Sequence, residues 1–375
     1  MRTEININAD MYTWAIARAG YNLSDFAVKF PKIKDWVDQK KKPTVKQLEA
    51  FSKKVHLPFG YLFLPEPPKE NLPIPFFRTT NGSQNNVSVN VYDTILLMQQ
   101  RQDWLREYLK ENEFQPLPFV GKFHHSQNYK EIVADIRNTI GLNNEWASSF
   151  KTWQEALDHL AQKIEDIGIT IVFNGIVENN TSRPITVDEC RGFVLVDPVA
   201  PFMFINNADG KAAQLFTIIH ELAHIWTGYS AGFDFRQLLP ANDPVELLCD
   251  KVSAEFLVPA ESFTKVWNSK PGIAPAAKYF KVSEIVIARR ALDLGYLTKK
   301  EFFAFYKDYS TREFLKKENQ GEGGNFYATT KKRIGLSFAA HVNQAVKSGK
   351  LLYRDAYKLT SLKGDTYETF FTKHF

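Results

Sequence analysis

The residues best placed to do chemistry in this chain of 375 residues lie in TIIHELAHIWTG, where His220, Glu221 and His224 share one short apolar stretch. Histidines four positions apart on a helix occupy one face, and a single metal ion can bridge their imidazoles. Glu221, beside the first histidine, would stand next to a water activated by that metal and could take its proton. The same five-residue pattern also occurs on ordinary helices. Its surroundings here count against that reading, because a core helix gains nothing from burying two imidazoles and a carboxylate that need partners.

Two histidines need a third protein ligand, with a fourth position left open for water. Glu246-Leu-Leu-Cys-Asp250 begins 22 residues after His224, and Gly228, Gly232, Pro240 and Pro244 lie in or next to the interval. The chain can therefore turn back and lay a second helix on the first. Glu246 and Asp250 are four apart on that helix. Glu246 would bind metal, and Asp250 would accept the other ring N–H of a ligand histidine and fix its tautomer. Glu246 has a competing structural reading, since Asp243-Pro244-Val245-Glu246 has the residue types of a helix N-cap, N1 and N3. The ligand role is carried forward because the histidine pair otherwise lacks a nearby acidic partner. Glu255 is about half a turn out of phase and is expected to face solvent, while Cys249 is expected to be a small buried apolar residue. His124, His125, Tyr229 and Tyr279 are within reach of the chain as oxyanion donors, although loop and packing roles explain the same residues.

The period of the hydrophobic residues supplies the elements that must position this set. Helical spacing marks residues 91–109, 132–140, 153–166, 211–226 and 244–256, whereas 167–173, 190–197 and 201–206 are β-branched and aromatic runs bounded by Gly, Pro and Asn. The last two runs read as a hairpin. PFMFIN (201–206) is the candidate sheet edge along which an extended substrate would align. The expected class is α+β, mainly helical.

Hydrophobic residues make up 44% and charged residues 24%, which excludes collagen, wholesale disorder and a coiled-coil rod. Two cysteines cannot build a disulfide framework, no run is long enough to span a membrane, and no apolar signal core opens the chain. A cytoplasmic protein is expected. Net charge is +5, yet residues 29–54 hold nine lysines against Asp35, Asp38 and Glu49, a local +6 that leaves the remainder near −1. On that count only this segment has an electrostatic reason to meet DNA, with Lys32, Lys34, Lys40, Lys41 and Lys42 as candidate contacts. A solvated lysine face is the plainer alternative. Short helices around it, at residues 11–19, from Ser24 to 28, after Thr44 and after Pro58, suggest a helix-turn-helix bundle.

From 191 to 259, RGFVLVD, PFMFIN, KAAQLFTIIHELAHIW and ELLCDKVSAEFLVP resemble the ImmA/IrrE-type zinc metallopeptidases, HExxH enzymes related to the gluzincins. The resemblance implies Zn²⁺ held by His220, His224 and Glu246, with Glu221 as catalytic base. LPFGYLFLPEPP and LPIPFFR are similar to longer members that carry a lambda-repressor-like, XRE-type helix-turn-helix domain, as are residues 281–298 and 323–342. One departure is that Ala27 to Pro43 spans only 16 residues, a shortening that falls on the recognition helix in PKIKDWVDQ. A bundle used for packing or protein contact is therefore an equal reading. The expected organisation is a helix-turn-helix-like domain at 1–65, a proline-rich and polar linker at 66–90, a metallopeptidase domain at 91–300 and a helical extension at 301–375. The implied function is endopeptidase cleavage of a protein substrate, a transcriptional repressor being the candidate, in stress, mobile-element or toxin–antitoxin regulation. The rival is a DNA- or protein-binding, antitoxin-like regulator with a structural or silent metal site.

Overall fold

The computed structural model describes residues 4–69, 88–233, 243–269, 272–312 and 326–375. Most of the expected linker (70–87) and the loop containing Pro240 lie outside the described residues. The described part is α+β and mainly helical, with seventeen α-helices and six strands. No helix among the described residues is long and apolar enough to cross a membrane. The described residues divide into two units, the second beginning at Leu96.

In the first unit, helices Ala9–Arg18, Leu23–Lys29, Ile33–Val37 and Val45–Lys54 precede a 3-10 turn, Phe59–Phe63. Tyr12, Phe26 and Trp36 from three of these helices meet Phe51 of the fourth at ring distances of 5.5, 5.8 and 6.3 Å. Asn22, rather than Ser24, caps the second helix by accepting from the Asp25 N–H, since Ser24 already lies inside the first turn. The third helix has only five residues, and two of them, Ile33 and Trp36, are buried in the core.

The second unit is built on a sheet of four strands: β1 (Thr170–Asn174), β4 (Gly192–Leu195), β5 (Phe202–Asn206) and β6 (Ala231–Phe233). Their order is β1-β5-β4-β6, and a separate short hairpin joins β2 (Ile176–Val177) to β3 (Asn180–Pro184). β4 and β5 form the expected antiparallel hairpin, with Phe193 opposite Phe204. The expectation that PFMFIN lies at an edge is overturned. β5 is interior, paired in parallel with β1 and antiparallel with β4, while β6 closes the other side of β4. The reason is that all five β5 residues are buried, as suits a central strand rather than a half-solvated edge. β6 gives no sequence signal, because three residues, one of them glycine, carry too little period to read.

The helix Lys211–Thr227 lies against this sheet. Gly192 of β4 permits the approach, since a Cβ there would stand 2.6 Å from the Thr217 methyl and 2.9 Å from the Phe204 carbonyl oxygen. Leu215, Ile218, Leu222 and Trp226 are fully buried among Met203, Ile205, Leu248 and Phe256. Each such side chain contributes roughly 1.5–3 kcal/mol of burial. That burial offsets the cost of holding ionisable groups inside the same helix.

Candidate metal centre

The helix Pro244–Leu257 packs along Lys211–Thr227. Asp243 caps it by accepting from the Val245 and Glu246 N–H groups at 2.8 and 3.4 Å, and Pro244 fills the first helical position, where no N–H is needed. The cap is thus made by Asp243. The Glu246 carboxylate instead meets the two imidazoles, with Oε2 at 3.1 Å from His220 Nε2 and Oε1 at 3.1 Å from His224 Nε2.

His220 Nε2 and His224 Nε2 are 3.2 Å apart, and one ligand atom from each of His220, His224 and Glu246 falls within 4.8 Å of the others. Bonds of about 2.0–2.1 Å to a tetrahedral Zn²⁺ imply ligand separations of about 3.3–3.4 Å, so the triad fits one face of that polyhedron. His220 Nδ1 lies 3.1 Å from Asp250 Oδ1. Its N–H donates to that carboxylate, which leaves Nε2 as the atom facing the centre.

His220, Glu221 and His224 have no solvent exposure, and neither Glu221 oxygen has a hydrogen-bond partner. Burial pushes the Glu221 carboxyl well above the ordinary carboxylate range, with the nearby His220 charge opposing. Burial alone would depress His220, but hydrogen bonds to Asp250 and Glu246 outweigh it and raise the group to about 10. Burial would likewise raise Glu246, yet the two histidines hold it below the usual range, and burial lowers His224. A buried carboxylate without a partner is costly. A cation at the triad supplies the charge that Glu221 lacks, so the residues fit a single metal ion with nitrogen and oxygen ligands.

The remaining candidates fall in several places. Cys249 is buried in the apolar core, and burial pushes its thiol up. Tyr279 packs against that core. His124 and Tyr229 come together: the His124 Nδ1–H donates to the Thr227 carbonyl at 3.0 Å, Nε2 is 3.4 Å from the Tyr229 hydroxyl, and the rings stack at 4.6 Å. Gly228 makes room for them, with φ at 82° and only 3.3 Å between a notional Cβ and His124 Nδ1. His125 stands edge-on to His124. In the first unit Lys32, Lys34, Lys40, Lys41 and Lys42 are all exposed, and Lys40 and Lys41 pair with Asp38 and Asp35, each at 2.7 Å.

The solvent-facing reading of Glu255 is corrected. Its carboxylate pairs with Arg290, which also donates to the Val258 carbonyl, while Arg137 donates to the Phe256 carbonyl. Two arginines therefore hold the C-terminal end of the helix Pro244–Leu257, which carries Glu246 near its start. Sequence separations of 35 and 119 residues left no spacing signal for either contact.

Residues 164–292 match the family model described as the IrrE N-terminal-like domain. The model is that of a peptidase family, and the match covers about a third of the chain. The matched stretch contains all six described strands, both site helices, the His220–His224–Glu246 triad and Arg290. Residues 334–373 match a second model, described as a domain of unknown function. No curated protein matched the chain.

Proposed function

We propose that the IrrE N-terminal-like domain of this chain is a zinc-dependent endopeptidase acting in the cytoplasm on a protein substrate. A transcriptional repressor under stress, mobile-element or toxin–antitoxin control is the candidate. The observation that carries this reading is the convergence of His220, His224 and Glu246 beside a buried Glu221 carboxylate with no partner. Zn²⁺ held by those three residues would supply Lewis-acid polarisation of a peptide carbonyl and a water of lowered pKa. Glu221 does the proton work, taking a proton from the attacking water on a carboxylate oxygen and returning it to the nitrogen of the leaving amine. Asp250 keeps the His220 ring oriented.

The test is Glu221→Gln. The variant should hold metal as the wild type does and lose cleavage of a co-expressed repressor by about 10²–10⁴-fold. Undiminished cleavage would remove Glu221 from the mechanism. The exposed lysines of the first unit favour a second reading, a DNA- or protein-binding regulator with a structural or silent metal site. That reading gains if neither protein cleaves any co-expressed repressor while zinc and fold are intact.

A further inference from the structure

The stretch matched as a domain of unknown function forms three helices, Leu336–Lys347, Tyr353–Thr360 and Gly364–His374. Residues 326–375 carry nine Lys and Arg against Asp355, Asp365 and Glu368, a net +6. This equals the charge of residues 29–54, and the net charge of the chain conceals it because the remaining residues are acidic. The cations ride on a packed scaffold. Phe338, Val342, Ala356 and Phe370 are fully buried, and Ser361, at φ 55°, makes a left-handed turn into the buried Leu362.

Five of the cations lie at 347–363, where Lys347, Lys350, Arg354, Lys358 and Lys363 are all exposed and Asp355, 3.5 Å from both Arg354 and Lys358, is the one acidic residue. Leu352 and Tyr353 are 58% and 52% exposed among them. The intervening helix of eight residues is about 12 Å long, so these charges cannot spread far, and Arg354 and Lys358 share a face. Clustered cations beside an exposed aromatic ring suit phosphates and stacked bases. The following helix exposes Asp365 and Glu368, which would repel phosphates and keep it out of a groove.

We propose that residues 347–363 form a nucleic-acid binding surface that contacts the phosphate backbone without reading sequence. The charge pattern implies that affinity is steeply salt-dependent and the same for unrelated duplexes. Lys350 bonds Asn112 Oδ1 at 2.8 Å and is left intact in the test. Fluorescence anisotropy on the full chain would compare the wild type with a variant carrying Lys347→Glu, Arg354→Glu, Lys358→Glu and Lys363→Glu. Several unrelated duplexes and a range of salt concentrations would be used. The variant should bind at least about tenfold more weakly at low salt, with a log–log salt slope shallower by about 0.9 per lost phosphate contact. Unchanged thermal unfolding would show that the fold survives. If it does not, Lys358→Gln with Lys363→Gln should give a smaller loss in the same direction. Wild-type affinity in the variants would overturn the proposal. So would loss of all binding on neutralising only Lys32, Lys34, Lys40, Lys41 and Lys42. Equally tight binding of polyglutamate would assign the surface to an acidic protein instead.

Discussion

Charge is handled in opposite ways by the helix pair at the candidate metal centre and by the lysine-rich helices of the first unit. At the centre, His220, Glu221, His224 and Glu246 are buried, and all but Glu221 meet one another at 3.1–3.2 Å. In the first unit the nine lysines of residues 29–54 stand in solvent, and the ion pairs of Lys40 and Lys41 are local, within six residues. A buried charge must have a specified partner, so residue type and spacing carry geometric information there. An exposed charge is screened, and a count of lysines specifies a field rather than a contact.

The comparison breaks most visibly at two glutamates on one helix. Glu246→Gln should lower zinc retention more than 100-fold, beyond the 10–100-fold typical of residues that only support a ligand. Glu255→Gln should leave retention near wild type and instead lower the stability of the metal-free protein by roughly 1–3 kcal/mol. It strands the Arg290 guanidinium, but Glu255 keeps 16% of its side chain exposed, which reduces the cost below that of a fully buried pair. Elemental analysis after dialysis, with thermal unfolding, separates the two. Equal zinc retention in both variants would return Glu246 to a capping role.

The next effect is one of pH. In the metal-free protein His220 is raised to about 10, so its contribution is full below its unfolded value near 6.5 and is lost as pH rises towards 10. Glu221, also raised, gives a loss of the same sign, beginning in the ordinary carboxylate range. Glu246 is depressed, so its contribution is present above that range and disappears only in acid. The metal-free protein should therefore lose stability between about pH 6.5 and 10. Zinc binding requires the deprotonated ligands and should grow stronger over the same interval. The gap in Tm between zinc-loaded and metal-free protein should widen with pH, and a constant gap would show that His220 does not carry the proton.

These contrasts explain what could be read from the residues. The helices at 153–166, 211–226 and 244–256 and the β4–β5 hairpin emerge within a residue or two, because each has an apolar period and a Gly, Pro or capping residue at its ends. Strand order was not readable. PFMFIN looks the same as an edge or as a centre until β1 is found paired to its free side, away from β4. At the site, the Glu246-x-x-x-Asp250 spacing indicated where two carboxylates would point, since helix geometry fixes residues four apart. The Glu255–Arg290 and His124–Tyr229 contacts join separate elements, and no local period encodes them. The basic C-terminal helices were lost to averaging over an acidic remainder.

The smallest effects belong to the exposed lysines. Neutralising Lys32, Lys34 or Lys42 to Gln should change folding stability by less than about 0.5 kcal/mol, because none of these side chains is buried. Ile33 and Trp36 take up two of the five residues of the short third helix, which leaves few side chains to reach base edges. Any DNA affinity of this unit should then fall by the same factor on every duplex when one of these lysines is removed. Lys40→Gln and Lys41→Gln should cost less, since those ammonium groups already face Asp38 and Asp35. Binding measured on matched duplexes of different sequence, with the cations of residues 347–363 reversed to remove their contribution, isolates the effect. A loss confined to one sequence would mean that the short helix reads bases after all. In that case the exposed surface would share the geometric specification seen at the metal centre.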